Sequence, residues 1–216
     1  MMAVGAAGAY WNSIVDIKID RVNHPDWPLP SGILSVREVT MASVLFAVLA
    51  VALASLVGEV FLLLASTTLI LAAAYSLPPF RLKTRFWLRY VSHSLIIMVF
   101  IPLTFWTVYA TINGQIIATV LVLFVFRTLA WGVKDIKDIK GDARGNVITI
   151  PIKYGPRRAY ELSVLALILS WTLLFVFIHE GIISSVFLTV PPIAIPAIAI
   201  VGRTLKWKRG RVAVRR

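Results

Sequence analysis

The 216-residue chain contains no cysteine, which excludes disulfide bonds and thiolate metal sites. Charged residues are also scarce, at 15% of the chain against 59% hydrophobic residues, and the mean hydropathy is +0.85. A soluble domain of this size needs far more polar surface than that. The composition therefore excludes a soluble globular protein and predicts an integral membrane protein.

Apolar stretches near twenty residues long match the thickness of a hydrocarbon core. We find six such stretches and a shorter apolar start: 1–17, 38–57, 60–77, 89–111, 116–133, 159–178 and 182–201. Backbone polar groups cannot be left open in lipid, and nothing in the chain resembles barrel strands, so the spans are predicted to be helices. The predicted fold class is all-α, a polytopic transmembrane helical bundle that forms one domain over 1–216.

Acidic residues are few, with ten Asp and Glu against 22 Lys and Arg, giving a net charge of +12. In a soluble protein this excess would suggest nucleic acid, but its placement indicates otherwise. Apart from Arg127, all Lys and Arg lie in four segments: 18–37, 81–89, 134–158 and the tail from Arg203. The intervening turns carry none. This positive-inside pattern places the four basic segments, including the tail 202–216, in the cytoplasm. We expect a multi-pass cell-membrane protein with no nucleic acid partner.

Two acidic motifs occur at equivalent places, each at the basic end of a span and before a helical hairpin. In the first, Asn12, Asp16 and Asp20 are spaced i, i+4, i+8, which puts all three on one helix face. In the second, Asp135, Asp138 and Asp142 are spaced i, i+3, i+7, again on one face. One such motif alone is usually a solvated surface, whereas two matching sets at one membrane depth favour a shared site.

Two carboxylate faces at the same depth repel each other unless a cation lies between them. Hard oxygen ligands select magnesium or calcium, and magnesium commonly shares the phosphates of a substrate. We therefore predict Mg²⁺ and a diphosphate between the motifs. The nearby cations predicted to hold diphosphate oxygens are Arg21, Arg81, Lys83, Arg85 and Lys134. Neutralising the diphosphate would make it a better leaving group.

The sequence resembles the UbiA superfamily of intramembrane prenyltransferases. The resemblance rests on the first motif with the following 21–32, on the tyrosine-and-lysine loop 75–83, and on 134–142 with the following 145–151. It covers nearly the whole chain. Within the superfamily the pattern is most similar to the archaeal branch that makes the second ether bond of membrane lipids, by transferring geranylgeranyl to geranylgeranylglyceryl phosphate.

The resemblance implies a helical bundle around a central cavity, with a lateral opening to lipid and an isoprenyl diphosphate donor. It implies a magnesium–diphosphate site with the aspartates acting in catalysis, formed by Asn12, Asp16, Asp20, Asp138 and Asp142. Asp135 matches a further motif position and is also predicted to be a metal ligand. The chain departs from the family in having Ser13, His24 and Trp27 where aspartate and two arginines are usual. It also accounts for about seven of the usual nine helices.

Three alternatives stay open at this stage. The lipophilic acceptor could be an aromatic ring of the quinone or chlorophyll type, because the motifs bind the diphosphate and the cavity walls select the acceptor. An ion carrier is a different class, but carriers usually place their sites near the bilayer midplane rather than at helix ends. A non-catalytic remnant would account for the missing helices and for Trp27.

Overall fold

A computed structural model describes residues 1–189. The helices are α1 (Met2–Asn23), α2 (Val36–Ser55), α3 (Glu59–Ser76), α4 (Phe86–Trp106), α5 (Gly114–Ile136), α6 (Ile139–Arg144), α7 (Ile150–Tyr154) and α8 (Pro156–His179). Two of them change winding along their length. A π-helical turn occupies Leu95–Phe100 within α4, and α5 ends in a 3₁₀ segment at Trp131–Ile136. This part of the chain contains no strand, which confirms the all-α prediction.

Five helices are long and apolar enough to cross a membrane: α2, α3, α4, α5 and α8. They correspond to five of the six predicted spans, so the prediction of a polytopic helical membrane protein is confirmed. The sixth span, 182–201, lies mostly outside the described residues, and so does the tail 202–216. The apolar start 1–17 and the first acidic motif form one continuous helix, α1.

Side chains at two helix starts form hydrogen bonds with the backbone N–H groups there. Ser35 caps α2, its hydroxyl accepting from the backbone N–H of Glu38, while the Glu38 carboxylate accepts from the backbone N–H of Ser35. This reciprocal pair satisfies two of the donors that every helix start leaves open. Asn113 caps α5 with a single bond, its Oδ1 accepting from the backbone N–H of Ile116. The predicted span 89–111 is shortened because the chain turns between Thr107 and Asn113.

The helices pack through small residues. Helix α1 lies against α2 and α3, helix α5 lies along α8, and α3 contacts α4 between the two groups. A Cβ on Gly8 would lie 3.2 Å from the Cβ of Ala72, so α1 and α3 approach closely at that point. Small residues permit such approach between membrane helices, where apolar burial gives no driving force against lipid. Large side chains such as Leu45 and Ile70 point outward.

Candidate active site

The helix α1 presents the first motif to a cavity of about 440 Å³. Asn12, Asp16 and Asp20 all line this cavity, as their helical spacing predicts. Asp135, Asp138 and Asp142 line it as well. The structure therefore brings both acidic motifs to one site, although they are more than a hundred residues apart in sequence.

Lys83 lies at the centre of the first motif. Its Nζ is 2.7 Å from Oδ2 of Asp16 and donates to Oδ1 of Asn12 at 3.0 Å. Nη2 of Arg81 lies 3.4 Å from the other carboxylate oxygen of Asp16. Lys83 is only 2% exposed, and burial lowers the pKa of its ammonium group while Asp16 opposes that shift. Two of the predicted diphosphate contacts thus touch the first motif directly.

The second motif does not form one regular helix face, which corrects the sequence interpretation. Asp135 lies in the 3₁₀ segment that ends α5, Asp138 is the N-cap residue of α6, and Asp142 lies within α6. The winding changes twice across these eight residues, so the i, i+3, i+7 rule for an α-helix does not apply to them. The environment of Asp135 differs from that of the other two aspartates. Asp135 is 2% exposed and accepts hydrogen bonds from Arg89 and Tyr90.

Two carboxylate oxygens in the cavity have no hydrogen-bond partner among the described residues. They are Oδ2 of Asp20 and Oδ2 of Asp142, and both are buried. Burial raises the pKa of each carboxyl group to about 6, and neighbouring carboxylates, Asp16 and Asp138 among them, add to the shift. A buried acceptor without a partner is costly. The site is therefore arranged to receive a cation or a donor at these oxygens.

Asn23 connects the two motifs, a role that sequence reasoning missed. Its Nδ2 donates to the backbone carbonyl of Asp138 at 3.1 Å, and its Oδ1 accepts from the N–H of Gly141 at 2.9 Å. A Cβ on Gly141 would lie 2.4 Å from Asn23, so only glycine fits there. The one available signal was position, since Asn23 comes one turn after Asp20 at the end of α1.

The remaining predicted cations divide into two groups. Lys134 lines the cavity, whereas Arg21 and Arg85 do not. Arg21 follows Asp20 by one residue and so points about 100° away around α1, and Arg85 is exposed at the start of α4. Arg89, which the sequence analysis did not single out, lines the cavity in their place. Its only sequence signal was an arginine at the very start of an apolar run.

His24 and Trp27 occupy the positions where the family usually has arginines. Their rings stack with centroids 4.1 Å apart and an angle of 7° between planes, and both line the cavity. Nε2 of His24 lies 3.4 Å from Oδ1 of Asp138. The pair therefore packs an aromatic surface against the second motif where two permanent charges would otherwise stand.

The residues of the cavity fit a magnesium ion whose ligands come partly from the protein and partly from a substrate. Among residues 1–189, no three His, Asp or Glu side chains converge to hold a metal ion by themselves. Magnesium usually binds one or two carboxylates, keeps several waters and takes the remaining oxygens from phosphate groups. The open oxygens of Asp20 and Asp142 supply that kind of incomplete protein shell. Their role as metal ligands stays a prediction.

Fold and site together define a polytopic α-helical membrane protein with a polar cavity between two acidic motifs. The UbiA prenyltransferase family matches residues 1–215, and the chain belongs to that family. It is 32% identical over 176 residues to digeranylgeranylglyceryl phosphate synthase of Methanocaldococcus jannaschii, covering 77% of this chain and 58% of that protein. It is 31% identical over 188 residues to the bacteriochlorophyll synthase 33 kDa chain of Cereibacter sphaeroides, covering 81% and 61%.

The fold is similar to that of a solved UbiA homologue. A UbiA homologue from Archaeoglobus fulgidus, bound to DMAPP and Mg²⁺, superposes with a TM-score of 0.70 at 21% identity, covering 93% of this chain and 73% of that one. The family and fold expected from the sequence are thereby confirmed. The chain spans about three fifths of the length of the curated relatives it matches.

Proposed function

We propose that this chain transfers an isoprenyl group from its diphosphate to a lipophilic acceptor in a magnesium-dependent reaction. The observation that carries the proposal is a pair of buried carboxylate oxygens, on Asp20 and Asp142, that have no partner among residues 1–189. They lie in a cavity that Lys83 and Arg89 also line. Unsatisfied anions and buried cations in one cavity favour a ligand that brings both a metal ion and negative oxygens. A diphosphate complexed with magnesium is such a ligand.

The chain's own residues have separable roles in this proposal. Lys83 holds Asn12 and Asp16 in place, Arg81 also contacts the carboxylate of Asp16, and Arg89 lines the cavity. These cations would hold diphosphate oxygens and stabilise the negative charge that develops on them as the allylic C–O bond breaks. Bound magnesium would supply further charge neutralisation at the same oxygens. Asp16, Asp20, Asp138 and Asp142 are the proposed ligands.

The cavity wall away from the acids is apolar. It includes Val4 and Gly8 of α1, Ala72 of α3, and Ile97 and Ile101 of α4. An isoprenyl chain needs such a lining, and a diphosphate at the acidic end would leave its hydrocarbon pointing along these residues. The polar and apolar halves of one cavity therefore support an amphiphilic donor rather than a free ion, which disfavours the carrier alternative.

We propose geranylgeranylglyceryl phosphate as the acceptor, which the archaeal synthase relative supports. An aromatic or chlorophyll-type acceptor is the second candidate, because the bacteriochlorophyll synthase relative is nearly as similar. The active site is proposed to face the cytoplasm, on the side where the basic loops lie.

A transfer assay tests the proposal. The purified chain in detergent is given labelled geranylgeranyl diphosphate with either geranylgeranylglyceryl phosphate or an aromatic acceptor, with Mg²⁺ or with a chelator. We expect transfer to the first acceptor that needs Mg²⁺ and is abolished by Asp16→Ala and by Asp138→Ala. The matched control is Asp26→Ala, since Asp26 is exposed and does not line the cavity.

Three results would contradict the proposal. Transfer that persists in the chelator would remove the metal requirement. Unchanged transfer in both motif variants would remove the acidic site. No transfer to either acceptor by a folded preparation would support the non-catalytic alternative.

A further inference from the structure

Asp135 differs from the other acidic residues of the cavity because both of its oxygens are already bonded within the protein. Oδ1 accepts from Nη2 of Arg89 at 3.2 Å, and Oδ2 accepts from the hydroxyl of Tyr90 at 2.8 Å. The Asp135 side chain is 3% exposed. By contrast, Asp20 and Asp142 each keep one buried oxygen without a partner among the described residues.

Tyr90 extends this network to a third part of the chain. Its hydroxyl donates to Asp135 and accepts from the backbone N–H of Ile150 at 2.8 Å. Tyr90 and Ile150 are both fully buried. Hydrogen bonds in such a low-dielectric setting strengthen one another, and a chain of them fixes each member in one orientation. The network joins the start of α4, the end of α5 and the start of α7.

Arg89 is the member of the network that reaches the cavity. A guanidinium group carries five N–H donors in a rigid plane, and the Asp135 contact occupies only one nitrogen. Its Nε is buried without a partner among residues 1–189. With one nitrogen held by Asp135, the other donors of Arg89 remain available to an anion that enters the cavity, an arrangement that suits phosphate oxygens.

We propose that Asp135 is a positioning residue that holds Arg89 toward the diphosphate and does not bind the metal ion. This inference rests on the proposed function, because it assigns a task at the same site. It separates the three aspartates of the second motif into two kinds. Asp138 and Asp142 face the ligand, and Asp135 orients a cation that does.

Metal binding and diphosphate binding are measured separately to test this. Mn²⁺ replaces Mg²⁺ and is followed by electron paramagnetic resonance, and the non-reacting analogue geranyl thiolodiphosphate is followed by calorimetry, both on the full chain in detergent. For Asp135→Asn we expect Mn²⁺ affinity within about twofold of wild type and analogue affinity lowered about tenfold. For Asp142→Asn we expect Mn²⁺ affinity lowered at least tenfold. Asp26→Asn is the matched control.

A double-mutant cycle distinguishes positioning from general loss of structure. Arg89→Gln alone should lower the affinity for the analogue. Adding it to Asp135→Asn should cause little further loss of affinity, because the two changes remove the same interaction. Additive losses would overturn the inference. Tyr90→Phe provides a second route if Asp135→Asn does not fold, since it keeps the carboxylate and loosens its hold. Tyr90→Phe should lower the affinity for the analogue and leave the affinity for Mn²⁺ unchanged.

The outcomes separate the inference from the proposed function. If wild type binds both probes but Asp135→Asn loses Mn²⁺ as Asp142→Asn does, Asp135 is a metal ligand and only the inference fails. If wild type binds neither probe, the proposed function fails and the inference fails with it.

Discussion

The backbone N–H of Gly141 donates to Oδ1 of Asn23 at 2.9 Å, so a side chain at the end of α1 fixes the start of α6. The same Asn23 amide donates to the carbonyl of Asp138. These two bonds set the distance between the first motif and the second. They show how two acidic segments remote in sequence are kept in register at one cavity.

The Gly141→Ala substitution should disrupt this register. The added Cβ would lie 2.4 Å from Cγ of Asn23, which must move and release its two hydrogen bonds. We expect a loss of about 1–3 kcal/mol of stability, as for overpacked sites, and a marked loss of prenyl transfer. Thermal unfolding in detergent and the transfer assay measure both. Gly114→Ala is the control, because among residues 1–189 its Cβ would come within 4 Å of Ile182 alone, at 3.9 Å. Equal behaviour of the two variants would contradict the role of Asn23.

Lys83 and Arg85 are two residues apart, and the structure predicts opposite outcomes for them. Lys83→Met would leave the carboxylate of Asp16 without its nearest cation in a mostly buried setting. Removing one partner of a buried pair typically costs roughly 3–5 kcal/mol, and we expect a loss of that order together with loss of activity. Arg85→Met should change stability and activity by little, since Arg85 is exposed and outside the cavity. A large effect on diphosphate KM in Arg85→Met would restore the role predicted from the sequence.

The raised pKa values of Asp20 and Asp142 predict a pH-dependent stability in the absence of metal. Each pKa is about 6 in the folded chain, against an ordinary value of 3.8 for an aspartate carboxyl group. The folded state therefore binds protons more tightly than the unfolded state, and stability should fall as the pH rises from about 4 to about 6. Unfolding temperatures in a chelator measure this. Asp20→Asn and Asp142→Asn should each flatten the profile, whereas an unchanged slope in both would exclude these groups as its source.

Trp27 stands where the family usually has an arginine, and its ring lines the cavity. Trp27→Arg would place a planar charged donor near the diphosphate site, so we expect the KM for the prenyl diphosphate to fall by up to about tenfold. Trp27→Gln is the control, because it removes the same stacking contact with His24 without adding charge. Equal KM values for the two variants would show that the charge does not reach the substrate.

Membrane orientation can be tested directly because the chain has no native cysteine. Lys140→Cys and Gly114→Cys each introduce one exposed thiol, at the basic end and at the opposite end respectively. We expect an impermeant maleimide to label position 114 in intact cells and position 140 only after the membrane is opened. Labelling of both from the same side would overturn the orientation deduced from the basic loops.

The sequence correctly predicted the helical membrane fold and the shared helix face of the first motif. The spacing of Asn12, Asp16 and Asp20 gave one helix face because α1 is regular through the whole motif. The same reasoning was wrong for Asp135, Asp138 and Asp142, since the chain passes from a 3₁₀ segment through a cap into a new helix. Periodicity applies only while the winding is constant.

The sequence by itself determined what depends on short stretches of chain. Span lengths, helical backbone and the alternation of basic and bare loops all follow from how a bilayer treats apolar side chains, peptide groups and charge. Only the tertiary structure decided which side chains contact one another and which of them line the cavity. Packing turned Lys83 and Arg89 into the cavity and left Arg85 outside, and it enclosed Asp135 between Arg89 and Tyr90. These contacts join helices far apart in sequence, so no local pattern specifies them.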